Sequence, residues 1–270
     1  MRSPKRVEWV MHPSAWFRGC LAAIVAGVTL TFAAPALAES VTIPAAGSLP
    51  AIPGNLQRPA GPGPFPAVLV LAGCDGISSL ENKTAAELVK QGYVALVLDV
   101  LAPQGLKNAC TAGAATIATS ARFAYVSLGW LAAQPGVIPD HLGVIGFSMG
   151  AIEILGLVDP LTPHVPPPGL RAAVAYYPDC AQRRADVSVP LQILDGDADD
   201  WTPAPPCAAL AQAAAAAGKT VQITTYPGVT HAFNLPGAQR TYLGHTLRYD
   251  AAADHDADTK ALLFLATYLK

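Results

Sequence analysis

The chain has 270 residues, of which 52% are hydrophobic and 13% charged. That length allows one large domain or at most two small ones, each able to bury a core, and the composition excludes general disorder. The formal net charge is −2 and Lys and Arg cluster nowhere beyond the N-terminus, so the electrostatic footprint of a nucleic-acid partner is missing.

The first segment reads as an export signal. Arg2, Lys5, Arg6 and Arg18 form a basic stretch, the run from Cys20 to Ala36 is apolar, and Ala36-Leu37-Ala38 is an A-x-A cleavage pattern. The apolar run approaches the ~20 residues of a membrane span. Thr29, Thr31, Pro35 and the small-residue ending nevertheless predict cleavage after Ala38, with no stable membrane insertion. Cys20 opens the apolar run instead of closing it, which argues against lipid attachment. Residues 39–270 are therefore expected as a single exported domain, periplasmic or secreted. Of 17 basic and 19 acidic residues, cleavage removes four and one, leaving 13 and 18 and a net charge of −5.

Residues 39–64 are rich in Pro and Gly, with short β-like pieces such as Val41-Thr42-Ile43, and predict an edge hairpin or an ordered lead-in. Ala67–Ala72 (AVLVLA) is a continuous apolar run, as a buried parallel strand requires. A helical pattern over Ser78–Gln91 closes at Gly92, and Tyr93–Asp99 is a second buried strand. An Ala-rich helix follows over 112–134, ended by Pro135-Gly136. His141–Phe147 reads as strand, Met149–Leu157 as helix, and Ala172–Tyr177 and Pro190–Asp195 as strands. Pro203–Ala217 reads as helix, Lys219–Tyr226 as strand and Ala251–Leu269 as the closing helix. Pro160–Pro168 cannot continue a helix and is expected as a loop. Strands alternating with helices imply a doubly wound, mostly parallel sheet covered on both faces. In such sheets ligands bind beyond the C-terminal ends of the strands.

Export also changes the meaning of the cysteines. Cys74, Cys110, Cys180 and Cys207 form an even set, which reads as two disulfides in an oxidising compartment. Cys74 and Cys110 follow successive strands, as do Cys180 and Cys207, so the expected pairs are Cys74–Cys110 and Cys180–Cys207. No C-x-x-C or Cys/His cluster has metal-ligand spacing, and no metal is expected.

Gly146-Phe147-Ser148-Met149-Gly150 matches G-x-S-x-G between an apolar strand and an apolar helix. That is the nucleophile elbow, in which a tight turn lifts the serine hydroxyl above the sheet and the helix N-terminus favours negative charge. A serine needs a base. His231, late in the chain in Gly228-Val229-Thr230-His231-Ala232-Phe233, fits the order Ser, acid, His along the chain, with His245 second. His141, His164 and His255 are expected to be solvated. The acid should lie in Asp195-Gly196-Asp197-Ala198-Asp199-Asp200. Four carboxylates so close cannot all be buried and charged, one of them could cap the helix near Pro203, and spacing alone does not choose among them.

These motifs, together with Leu71-Ala72-Gly73-Cys74-Asp75-Gly76, resemble the dienelactone hydrolase family of the α/β-hydrolase fold over nearly the whole mature chain. The resemblance implies a catalytic triad of Ser148, Asp199 and His231, with Asp199 three residues after the strand-end glycine. It also implies an oxyanion hole made by the backbone N–H groups of Cys74 and Met149. The eponymous enzymes use a cysteine nucleophile, and serine here moves expectation toward ordinary carboxylic esters. Ala72 stands where related hydrolases carry His. Arg122, Arg183 and Arg184 are the candidates for a substrate carboxylate.

The expected activity is hydrolysis of a small-molecule ester or lactone through an acyl-enzyme, with no cofactor. Substrate choice is expected in the loops around 101–112, 159–169 and 232–248. Two other readings share the motifs. A prolyl-oligopeptidase-type peptidase has the same triad order, but its large extra domain has no room in the mature chain. A binding protein could keep the hydrolase shell without the chemistry.

Overall fold

In the computed structural model, residues 4–6, 38–161, 169–181 and 183–270 are described. The expected leader and its cleavage site therefore fall almost wholly outside the described residues, as do His164 and most of the Pro-rich loop. No helix among the described residues is long and apolar enough to cross a membrane.

The strands are β1 Ala38–Ile43, β2 Ile52–Gln57, β3 Phe65–Leu71, β4 Val94–Leu98, β5 Val137–Phe147, β6 Leu170–Tyr176, β7 Leu191–Gly196 and β8 Val221–Tyr226. They form one eight-stranded sheet in the order β1-β2-β4-β3-β5-β6-β7-β8. Neighbours from β4 through β8 are parallel. The β1–β2 hairpin adds antiparallel to β4, so the Pro/Gly-rich lead-in is an edge hairpin. This is the α/β-hydrolase fold, doubly wound as the alternation of elements implied. All the elements belong to one compact unit of the chain.

The helices are α1 Ser79–Lys90, α2 Ala114–Ala132, α3 Met149–Leu157, α4 Pro205–Ala216 and α5 Ala251–Leu269. Alternation along β3 shows how the faces are covered. Leu69 and Leu71 join the core with Phe123 and Leu128 of α2 and Ile154 of α3. Val68 and Val70 point the other way, into the core with Leu80 and Leu88 of α1 and Phe264 and Leu265 of α5. Both faces of a parallel strand are thus apolar, which is why the strands read as unbroken runs. A capping box starts α1: Ser78 Oγ accepts from the Leu80 N–H, and Glu81 accepts from the Ser78 N–H.

Two differences from the sequence reading bear on the site. The segment 232–248 is not simply a loop, because it holds an antiparallel hairpin, β9 Gln239–Tyr242 and β10 His245–Arg248. Its two-residue turn, Leu243-Gly244, has positive φ at both positions, +50° and +89°. The helix after Pro203 takes no aspartate cap either: its N-cap is Ala204, and Pro occupies its first turn.

Candidate active site

The strand order reverses at β3, whose successor β4 lies on one side and β5 on the other. A crevice opens at such a point, and the segments leaving β3 and β5 carry Cys74 and Ser148. Ser148 is the N-cap of α3 with φ +51° and ψ −113°, a conformation a non-glycine residue adopts only under constraint. Its N–H is tied to the Tyr176 carbonyl at 3.0 Å. The flanking glycines explain how the turn fits. A Cβ on Gly146 would meet the Gly150 carbonyl carbon and oxygen at 2.7 Å, and one on Gly150 would meet Leu71 O at 2.6 Å.

His231 is brought to Ser148 from the far end of the chain. Its Nε2 lies 3.0 Å from Ser148 Oγ, and its Nδ1 lies 2.7 Å from Asp199 Oδ2. Asp199 also accepts from the N–H groups of Trp201 (2.8 Å) and Thr202 (2.9 Å) and from Thr202 Oγ1 (3.1 Å). Burial works against the charge on Asp199, but the His231 hydrogen bond and charge and the two N–H donors outweigh it, and the carboxyl is held below its ordinary value. The carboxylate is therefore ionised and fixes which imidazole nitrogen carries the proton.

The other three aspartates have separate places. Asp197 accepts from the Gly228 N–H. Asp200 accepts from the Thr246 N–H at 3.1 Å and lies 3.5 Å from His245 Nδ1, fastening the β9–β10 hairpin. Asp195 is buried in β7. Gly196 lets β7 end against the His231 loop, since a Cβ there would sit 2.1 Å from Val229 O. His245 stacks on Trp201 at 4.7 Å with its Nδ1 3.0 Å from Asp200 O, whereas the imidazole at Ser148 Oγ is that of His231.

Cys74 and Cys110 form a disulfide, and so do Cys180 and Cys207. The first bridges the end of β3 to the segment after β4, and the Ala109 N–H donates to Cys74 O at 2.7 Å. Neither the Cys74 nor the Met149 N–H donates to a backbone carbonyl among the described residues. The latter opens α3, where no intrahelical acceptor exists.

The cleft beside Ser148 is small, about 40 Å³, and is lined by Tyr177, Trp201, Leu235, Tyr242 and Leu247 around the Ser148–His231 pair. Two charged lining residues escaped the sequence reading. Glu81 is buried under the cleft by its capping box, which Ser78-Ser79-Leu80-Glu81 does announce as S-x-x-E. Arg240 comes from β9, 3.9 Å from Asp75 Oδ2 and 5.3 Å from the Tyr242 ring centroid, and no local pattern announces it. Arg122, Arg183 and Arg184 do not line this cleft, and Arg122 and Arg183 border another cavity.

Known proteins resemble this chain in sequence and in fold. A Bradyrhizobium protein named as a 2-oxo-3-(5-oxofuran-2-ylidene)propanoate lactonase is 25% identical over 66% of this chain and 77% of its own. A Methylorubrum extorquens protein named as a carboxymethylenebutenolidase is 27% identical over 68% of each chain. Among solved structures, a dienelactone hydrolase-like promiscuous phosphotriesterase from metagenomic libraries superposes with a TM-score of 0.68 at 20% identity, over 87% of this chain and 99% of that one. Thermogutta terrifontis esterase 2 gives 0.65 at 19% identity, over 85% and 94%. These structural likenesses speak for the fold. The profile of the dienelactone hydrolase family matches residues 52–269. The chain belongs to the dienelactone hydrolase family and is, at that level, a hydrolase.

Proposed function

We propose that the protein hydrolyses small carboxylic esters or lactones with Ser148 as nucleophile, His231 as general base and Asp199 as the group that orients the imidazole. The observation that carries this reading is the unbroken chain from Ser148 Oγ to His231 (3.0 Å) to Asp199 (2.7 Å). Ser148 Oγ attacks the carbonyl carbon while His231 Nε2 takes its proton. The oxyanion formed is held by the Met149 and Cys74 N–H groups. Collapse expels the alcohol, which leaves with the proton from His231. A water then attacks the acyl-enzyme, His231 again serving as base; the acyl–Oγ bond breaks, His231 returns the proton to Ser148 Oγ, and the acid departs. Each oxyanion donor in such sites is worth about 3–4 kcal/mol of barrier.

The tight cleft, with Trp201, Tyr242 and Leu247 on its walls, favours short acyl groups or small rings over long chains. The bridged cysteines and the Ala36-Leu37-Ala38 pattern support work in an exported compartment, and the exported form should begin at Glu39 by intact mass. Labelling by a fluorophosphonate, mapped to Ser148, together with turnover of p-nitrophenyl acetate but not of peptide amides, tests the reading. A chain that neither labels nor turns over any ester is a binding protein in a hydrolase shell.

A further inference from the structure

The cleft at Ser148 has two rims that come from distant parts of the chain. One joins the segment leaving β3 to the segment before α2, stapled by the Cys74–Cys110 bridge and by the Ala109 N–H, which donates to Cys74 O at 2.7 Å. Asp75 follows Cys74 directly, and Asn108 lies just before Cys110. The other rim is the β9–β10 hairpin, whose two strands are held differently. β10 is fastened to the segments that carry the proposed base and acid: Leu247 bridges to His231, the Arg248 N–H donates to Thr230 Oγ1 at 3.0 Å, and the Thr246 N–H to Asp200 Oδ1 at 3.1 Å.

β9 reaches the opposite rim. Alternate residues of a strand point to one face, and Arg240 and Tyr242, in alternate positions on β9, both line the cleft. Each meets a partner on the stapled rim. Asn108 Nδ2 donates to the Tyr242 hydroxyl at 3.2 Å, and Arg240 Nη2 lies 3.9 Å from Asp75 Oδ2. The Arg240 guanidinium also stands 5.3 Å from the Tyr242 ring centroid, so the two side chains brace each other. Asp75, Asn108 and Arg240 are exposed, whereas His231 is buried. The two contacts therefore cross the outer edge of the cleft and leave the small space of about 40 Å³ beneath them.

We propose that the Asn108–Tyr242 and Asp75–Arg240 contacts form a clasp across the mouth of the cleft, and that Arg240 and Tyr242 thereby determine specificity by limiting how far an acyl chain extends past Ser148. This rests on the reading of Ser148 as an ester-cleaving nucleophile and names the residues that set its size limit. A short acyl group fits beneath the clasp. A longer one must displace an exposed hydrogen bond and an exposed ion pair, and then hold the rims apart. Such contacts are individually weak, so the clasp selects by size without sealing the site. The disulfide gives it fixed anchor points on one side, and the ties of β10 fix the other.

The test is the ratio of kcat/KM for p-nitrophenyl octanoate to that for p-nitrophenyl acetate. Tyr242→Phe with Arg240→Gln keeps most of the bulk of both side chains and breaks both contacts; it should raise the ratio about tenfold. Asn108→Ala with Asp75→Asn breaks the same contacts from the opposite rim and should move the ratio the same way. Far-UV circular dichroism should stay unchanged, since all four side chains lie at the rim. A ratio that stays put in both double variants overturns the proposal, and so does an unaltered chain that cleaves the two esters equally well. Octanamide reads the same limit without turnover. By calorimetry it should bind both double variants about tenfold more tightly than the unaltered chain, and equal binding, or no binding to any of the three, overturns the clasp. An unaltered chain that cleaves neither ester, with octanamide binding gained in the variants, sinks the esterase reading and supports the clasp.

Discussion

Thr202 Oγ1 lies 3.1 Å from Nδ1 of His231, the same nitrogen that meets Asp199 at 2.7 Å. The hydroxyl also stands 3.1 Å from Asp199 Oδ2 and 3.0 Å from Tyr177 O, so it pins the carboxylate and shares the imidazole proton. In the proposed triad Thr202 would be a positioning residue that acts through both partners. Thr202→Val should lower kcat by about tenfold with KM little changed, since a net hydrogen bond is worth about 1 kcal/mol and more toward a charged group. Thr202→Ser should restore activity. Equal losses in both variants point to packing of the methyl group instead.

Among the clustered aspartates, Asp199→Asn should cost about 10³–10⁴ in kcat, because the amide no longer holds the required imidazole tautomer. Asp197→Asn and Asp200→Asn should cost far less, since these side chains fasten Gly228 and the β9–β10 hairpin. Steady-state kinetics with p-nitrophenyl acetate ranks the three. Asp200→Asn proving the most damaging contradicts the assignment of Asp199.

Asp195 makes a separate prediction about pH. Burial first, and the Asp199 charge second, push its carboxyl up to about 8 from an ordinary 3.8, and both of its oxygens are unpaired among the described residues. Between these values the folded state holds a proton that the unfolded chain has released. Stability should therefore fall as pH rises through that window and level off above it. Urea midpoints compared at about pH 6 and about pH 9 should drop for the unaltered chain and drop less for Asp195→Asn. Identical slopes in the two proteins contradict the assignment.

The Cys74–Cys110 bridge closes a separation of 36 residues across the segment that carries the Cys74 N–H. Cys74→Ser with Cys110→Ser should lose about 2–4 kcal/mol of stability. It should also lower kcat at temperatures where the variant remains folded, because one proposed oxyanion donor is no longer held. Replacing Cys180 and Cys207 in the same way should cost stability with a smaller change in kcat. Unfolding curves and kinetics on the two double variants separate these outcomes.

What the sequence alone determined is what lies close along the chain. The elbow at Ser148 is legible because strand end, turn glycines and helix start occupy consecutive residues, and β3 and β4 because strands buried on both faces are unbroken apolar runs. The disulfide partners follow from the succession of strands. Tertiary structure decided whatever depends on which elements become neighbours. Asp195, Asp197, Asp199 and Asp200 are alike in one dimension, and only the meeting of the β7 end with the His231 loop, permitted by Gly196, gives each its environment. Arg240 and Tyr242 enter the cleft because a hairpin folds back over it. Glu153 reads in sequence as one polar residue in an apolar helix, and only the packing of α3 shows that it is fully buried. Local motifs carry backbone geometry over a few residues, whereas burial, charge balance and cavity shape are set by contacts between segments far apart in the chain.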